Sequence, residues 1–159
     1  MSNRDVVEAA SFLAESRFLG ILSFHELLML AALTGSYACP AGTTIFRKGD
    51  EGDSIYVLRE GSVRIILPLD TGWETELAIV RPGELFGELS LLDGKPRSAS
   101  AVAVEDVVAL TLGRQEFLGF LRKQPEAAIR MLAMLAGRLR RTDELLGDAV
   151  FLERGTAPS

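Results

Sequence analysis

Apolar and polar positions change their period twice along the chain. Residues 5 to about 35 carry a helical pattern, and Ser23-Phe-His-Glu26 marks one helix start. It is a capping box, in which the Ser23 hydroxyl accepts from an unpaired backbone N–H and Glu26 reaches back to the cap. Leu27, Leu30, Ala31 and Leu33 follow at helical spacing. From residue 37 to about 112 the pattern becomes short apolar runs broken by Gly, Pro and Asp. Thr44-Ile-Phe, Ser54-Ile-Tyr-Val-Leu and Val63-Arg-Ile-Ile-Leu read as strands, as do Glu76-Leu-Ala-Ile-Val, Ala101-Val-Ala-Val and Val107-Val-Ala-Leu-Thr-Leu. Gly49-Asp, Glu51-Gly, Glu60-Gly, Asp70-Thr-Gly and Pro82-Gly supply the turns. Strands at such even spacing predict a closed or rolled antiparallel sheet. After Gly113 the helical pattern returns. A short helix is expected over 114–123, and Pro125 suits the first turn of a second helix that runs to about residue 150.

The chain's 159 residues suffice for one domain with a real core. Lys and Arg number 17 against 22 Asp and Glu, for a net charge of −5. Proteins that hold nucleic acid by neutralising phosphates usually show a basic surplus, so DNA is not an expected partner. Cys39 is the sole cysteine, which excludes an intrachain disulfide and a thiolate metal cluster. The N-terminal residues lack the apolar stretch of a secretory signal, and the longest apolar run, 27–33, is far short of the ~20 residues that span a bilayer. The expectation is a cytoplasmic protein with no membrane association.

The chemistry concentrates in Pro82-Gly-Glu-Leu-Phe-Gly-Glu-Leu-Ser-Leu-Leu-Asp-Gly-Lys-Pro-Arg-Ser-Ala-Ser100. Its middle, 88–92, can form one or two helical turns. Gly87 has no Cβ, so a ligand can approach the backbone closely. The free N–H groups at the start of the turns carry partial positive charge and suit an anion. Arg97 returns after the Gly94-Lys-Pro turn with a guanidinium whose fork matches two phosphate oxygens. Glu88 offers an acceptor for a sugar hydroxyl. Together they fit a phosphate joined to a ribose, although the physics alone leaves this one anion-site reading among several.

The order of residues narrows it. Phe86-Gly-Glu-Leu-Ser-Leu-Leu, then four residues, then Arg97-Ser-Ala-Ser resembles the phosphate-binding cassette of cyclic-nucleotide-binding domains at every signature position. Pro40-Ala-Gly, Gly49-Asp-Glu-Gly-Asp and Tyr56-Val-Leu-Arg-Glu-Gly-Ser-Val are similar to the first half of that family, and the resemblance extends over about 10–152. It implies an α+β fold, an eight-stranded antiparallel β-roll over 37–113 with the cassette at 82–100. N-terminal helices over 1–36 and C-terminal helices over 114–152 would flank it, with a frayed tail at 153–159. It also implies that Glu88 accepts from the ribose 2′-hydroxyl and that Arg97 pairs with the cyclic phosphate. The backbone N–H groups of Leu89, Ser90 and Ala99, with the Ser98 hydroxyl, would complete the cradle. Ile65 and Leu77 match positions that flank the base or ribose.

In the last helix Ala128, Leu132, Leu135, Leu139, Thr142, Leu146 and Ala149 form a heptad seam. Such a stripe could pair two helices or lie on the chain's own roll. The run 138–152 resembles the dimerisation helix of the bacterial catabolite activator family, which favours a homodimer and places Thr142 where that family contacts the base. That family continues into a helix-turn-helix, and this chain stops. The expectation is a stand-alone sensor of cAMP, with cGMP the other candidate, that signals through its last helix to an effector protein. The alternative is a dimeric scaffold whose pocket is degenerate or takes cyclic di-GMP. No cofactor, metal or catalytic role is expected, because a phosphodiesterase needs metal ions clamped by His and carboxylates and His25 stands alone. Structural readings suffice for the rest: a solvated His25, a packed Cys39, an exposed Trp73 at a hairpin tip and a solvated turn at Asp50-Glu-Gly-Asp53. Arg138, Arg140 and Arg141 read as the wet face of the helix, and Glu88 with Arg97 could be no more than a buried ion pair shaping a loop.

Overall fold

The computed structural model describes residues 2–154, with side chains described through residue 147. The described residues fall into two units, 2–124 and 125–154. In the first, α1 (Asn3–Glu15) and α2 (Phe24–Ala31) precede five strands: β1 (Gly35–Cys39), β2 (Thr44–Phe46), β3 (Ser54–Glu60), β4 (Val63–Pro68) and β5 (Glu74–Val80). Then come β6 (Leu85–Phe86), α3 (Glu88–Asp93), β7 (Ser100–Ala103), β8 (Val107–Gly113) and α4 (Arg114–Lys123). Both α1 and α2 begin with capping boxes. In the second, Ser23 Oγ accepts from the Glu26 N–H at 3.1 Å while Glu26 Oε1 accepts from the Ser23 N–H at 2.8 Å.

The strands form two antiparallel four-stranded sheets, ordered β1-β8-β3-β6 and β2-β7-β4-β5. Successive side chains of a strand point to opposite faces, so the inward-facing apolar positions of both sheets meet in one core. Leu58, Val63, Val80, Phe86, Ala101 and Val107 are buried there. Ile55 and Val57 point the other way on β3 and are equally buried, so that strand is covered on both faces. The resemblance foresaw eight strands. Periodicity missed β1 and β6, because β1 opens on Gly35-Ser36 with little apolar signal and β6 has only two residues.

The second unit is α5 (Pro125–Arg154), one helix whose first residue is the proline. Leu132, Leu139, Thr142 and Leu146 of the seam are exposed, and the Ala149 side chain lies outside the described residues. Residues 155–159 of the expected tail also lie outside them. Among the described residues no helix is long and apolar enough to cross a membrane.

Candidate functional site

The cassette folds as β6, a tight corner, α3 and a return into β7. The corner needs a glycine for two reasons. Gly87 stands at φ 86°, in the left-handed region, and an added Cβ would lie 2.6 Å from Nη1 of Arg97. The room that sequence reasoning reserved for a ligand is taken on this side by the protein's own guanidinium. Gly87 is also the N-cap of α3 and offers no side-chain cap to the helix. Gly52 answers it from across the site, since a Cβ there would collide with the Ser90 side chain and approach Cδ of Arg97 to 3.1 Å.

Arg97 is pinned by both its backbone and its side chain. Its N–H donates to the Asp50 carbonyl at 2.8 Å, and its carbonyl accepts from the Gly49 N–H at 2.8 Å. The side chain is only 4% exposed. Nη1 donates to the Gly87 carbonyl at 3.0 Å and Nη2 to the Ser54 carbonyl at 2.8 Å, while Nε is buried with no partner. Burial pulls the guanidinium below its ordinary proton affinity, against the opposing influence of Tyr56, Asp53 and Asp50. Among the described residues no ion pair joins it to Glu88. A buried cation without a carboxylate partner, with donors of its fork still unengaged, is an incomplete electrostatic arrangement that an anion would complete.

Arg97 opens onto a cavity of about 310 Å³. Gly87, half-buried Glu88 and exposed Leu89 line it from the start of α3, with buried Ser90 behind them. Exposed Ser98 and buried Ala99 line it from the return to β7, and half-buried Ile65 and exposed Leu77 from β4 and β5. The structure thus gathers nine of the sequence-selected residues around one space. Thr142 belongs to the separate helical unit, where its hydroxyl donates to the Arg138 carbonyl at 3.0 Å. Three contributors escaped the sequence reading. Ser54 acts through its carbonyl, which no side-chain pattern reveals, and Phe46 looked like ordinary strand filling. Gly52 was detectable as the small residue inside an acidic turn.

A larger depression of about 760 Å³ lies at the start of α4. Glu51, Asp53 and Glu116 line the same space as its single lining cation, Arg114, a charge balance that disfavours an anion. The smaller cavity combines one guanidinium, backbone amides at a helix start, one carboxylate and an apolar wall. Those groups suit an anionic ligand that also carries a hydroxyl and a flat apolar part.

The profile of the family described as "Cyclic nucleotide-binding domain" matches residues 38–124. The chain is 48% identical over 104 residues to the "Cyclic AMP receptor protein" of Thermus thermophilus, covering 65% of this chain and 48% of the relative. It is 36% identical over 137 residues to a "CRP-like cAMP-activated global transcriptional regulator" of Mycobacterium tuberculosis, covering 84% and 61% respectively. The chain therefore spans only about half to three fifths of the length of these curated relatives. Among solved structures, the N-terminal domain of a transcriptional regulator from Streptomyces coelicolor A3(2) superposes with a TM-score of 0.77 at 36% identity. That match covers 85% of this chain and 94% of the other.

Proposed function

The chain belongs to the cyclic nucleotide-binding domain family, and from that premise we propose that it is a cAMP sensor whose α5 pairs with a second copy and reports to an effector protein. One observation carries the reading: a buried guanidinium, Arg97, whose Nε has no partner beside a cavity that also holds Glu88. In this reading the cyclic phosphate engages Arg97 and the amides of Leu89, Ser90 and Ala99, with the Ser98 hydroxyl. Glu88 accepts from the ribose 2′-hydroxyl, and Ile65 and Leu77 flank the base or ribose. The relatives from Thermus thermophilus and Mycobacterium tuberculosis, both named for cyclic AMP, support adenine over guanine. The cavity volume of about 310 Å³ sits at the low end of the ~300–1,000 Å³ of small-molecule sites, which favours a mononucleotide over cyclic di-GMP. Ligand binding would shift a two-state equilibrium of α5, which a partner reads. The exposed Leu132, Leu139 and Leu146 support its pairing with a second helix.

Isothermal calorimetry against cAMP, cGMP and cyclic di-GMP tests the ligand. Saturable binding with cAMP tightest is expected. No heat from any of the three would end the sensor reading, and tightest binding of the dinucleotide would replace it with the scaffold alternative.

A further inference from the structure

The electrostatics of Arg97 leave one question open: what holds a buried guanidinium in place, still charged, with no carboxylate bonded to it. The two carbonyls of Gly87 and Ser54 fix its edges. Its face is fixed by something else. Cζ of Arg97 lies 4.2 Å from the centroid of the Phe46 ring, the distance of a cation–π contact.

Phe46 is itself held from several sides. It ends β2, where the register against β7 shifts between Thr44 and Phe46, an irregularity of the kind that re-aims a side chain. Its ring sits 6.0 Å from the rings of both Tyr56 and Phe86. Those two stack on each other at 4.9 Å with their planes 8° apart. The three rings make a rigid aromatic floor at the edge of the core, and Phe46 also lines the nucleotide cavity. A phenyl face carries negative quadrupole density, so it stabilises a cation without accepting a hydrogen bond or neutralising the charge. A carboxylate in the same place would compete with the incoming phosphate. The ring leaves the guanidinium cationic and its donors available.

We propose that Phe46 is a positioning residue for nucleotide binding, an aromatic platform that orients Arg97 and keeps it ready for the phosphate. The proposal rests on the cyclic-nucleotide reading of the site. It predicts that an aromatic ring, and not merely apolar volume, is required at position 46.

A double-mutant cycle read by calorimetry with cAMP tests it. Phe46→Leu should weaken binding about ten- to thirtyfold, the scale of a desolvated cation–π contact. Phe46→Tyr should recover most of that loss. In an Arg97→Ala background, Phe46→Leu should cost less than about threefold more, because the platform has nothing left to orient. Unchanged affinity in Phe46→Leu overturns the proposal, as does an equal loss in both backgrounds or an equal loss with Tyr and Leu. Should the leucine variant fail to fold, Phe46→Met carries the same comparison. A second readout needs no nucleotide. In the ligand-free protein the Arg97 Hε resonance, assigned by its disappearance in Arg97→Lys, should be shifted upfield by the ring and move downfield in Phe46→Leu. If the wild type binds no cyclic nucleotide, the functional reading falls and this resonance alone decides whether ring and guanidinium are paired. A position that does not respond to the substitution refutes the pairing.

Discussion

Arg97 illustrates how a residue that is costly to the fold can be the one the proposed phosphate site depends on. A guanidinium at 4% exposure has given up most of its hydration, and two backbone carbonyls and a phenyl face return only part of it. The unpartnered Nε is the visible remainder. Charge-assisted hydrogen bonds contribute ~1.5–3 kcal/mol each. Arg97→Ala should therefore lower cAMP affinity by about ten- to a few hundredfold, at ~1.4 kcal/mol per decade. Arg97→Lys should recover little of it, since an ammonium cannot span the Gly87 and Ser54 carbonyls with a planar fork. Calorimetry on the two variants checks both statements, and wild-type affinity in Arg97→Ala would remove the residue from the phosphate site. Here the sequence was informative about identity and silent about environment. The motif singled out Arg97, but nothing in a string of letters shows that its partners are carbonyls 10 and 43 residues away and not the carboxylate of Glu88.

Among the elements, α2 and α3 are held at their starts in opposite ways. The α2 helix opens with two reciprocal hydrogen bonds between Ser23 and Glu26, which satisfy backbone donors locally. The α3 helix opens on left-handed Gly87 with no side-chain cap, so the donors of its first turn are left for whatever enters the cavity. The first arrangement serves stability, and in the proposed reading the second serves binding. Ser23→Ala should lower the melting temperature by about 2–4 °C, the effect of losing ~1 kcal/mol in a domain of this size. Its affinity for cAMP should match the wild type. A thermal melt paired with a titration separates the two effects, and a large loss of affinity would contradict the division of roles. Both helix starts were legible beforehand because a capping box and a glycine corner are each local in sequence. The two strands that escaped notice, β1 and β6, are short or polar and exist because β8 and β3 supply partners for their backbones.

At the scale of the whole molecule, a β-roll unit carries the cavity and a separate helical unit presents Leu132, Leu139 and Leu146 to solvent. If α5 pairs with a second copy, Leu139→Glu places a charge in that seam. Sedimentation should then show a monomer where the wild type is a dimer, while the melting of the β-roll unit stays unchanged. A variant that sediments like the wild type would take α5 out of the dimer contact. Sequence by itself determined the identity of the cassette, the capped start of α2, most of the strands and the heptad seam, because each is written in residues adjacent along the chain or at fixed short spacing. Tertiary structure alone decided the rest. It brought Gly52, Ser54 and Phe46 of two earlier segments against Arg97, joined Gly49 and Asp50 to its backbone, and left its Nε without a partner. Those contacts depend on where non-local strand pairing carries the chain, and local pattern has no means of encoding the distance between segments that meet only when the two sheets close.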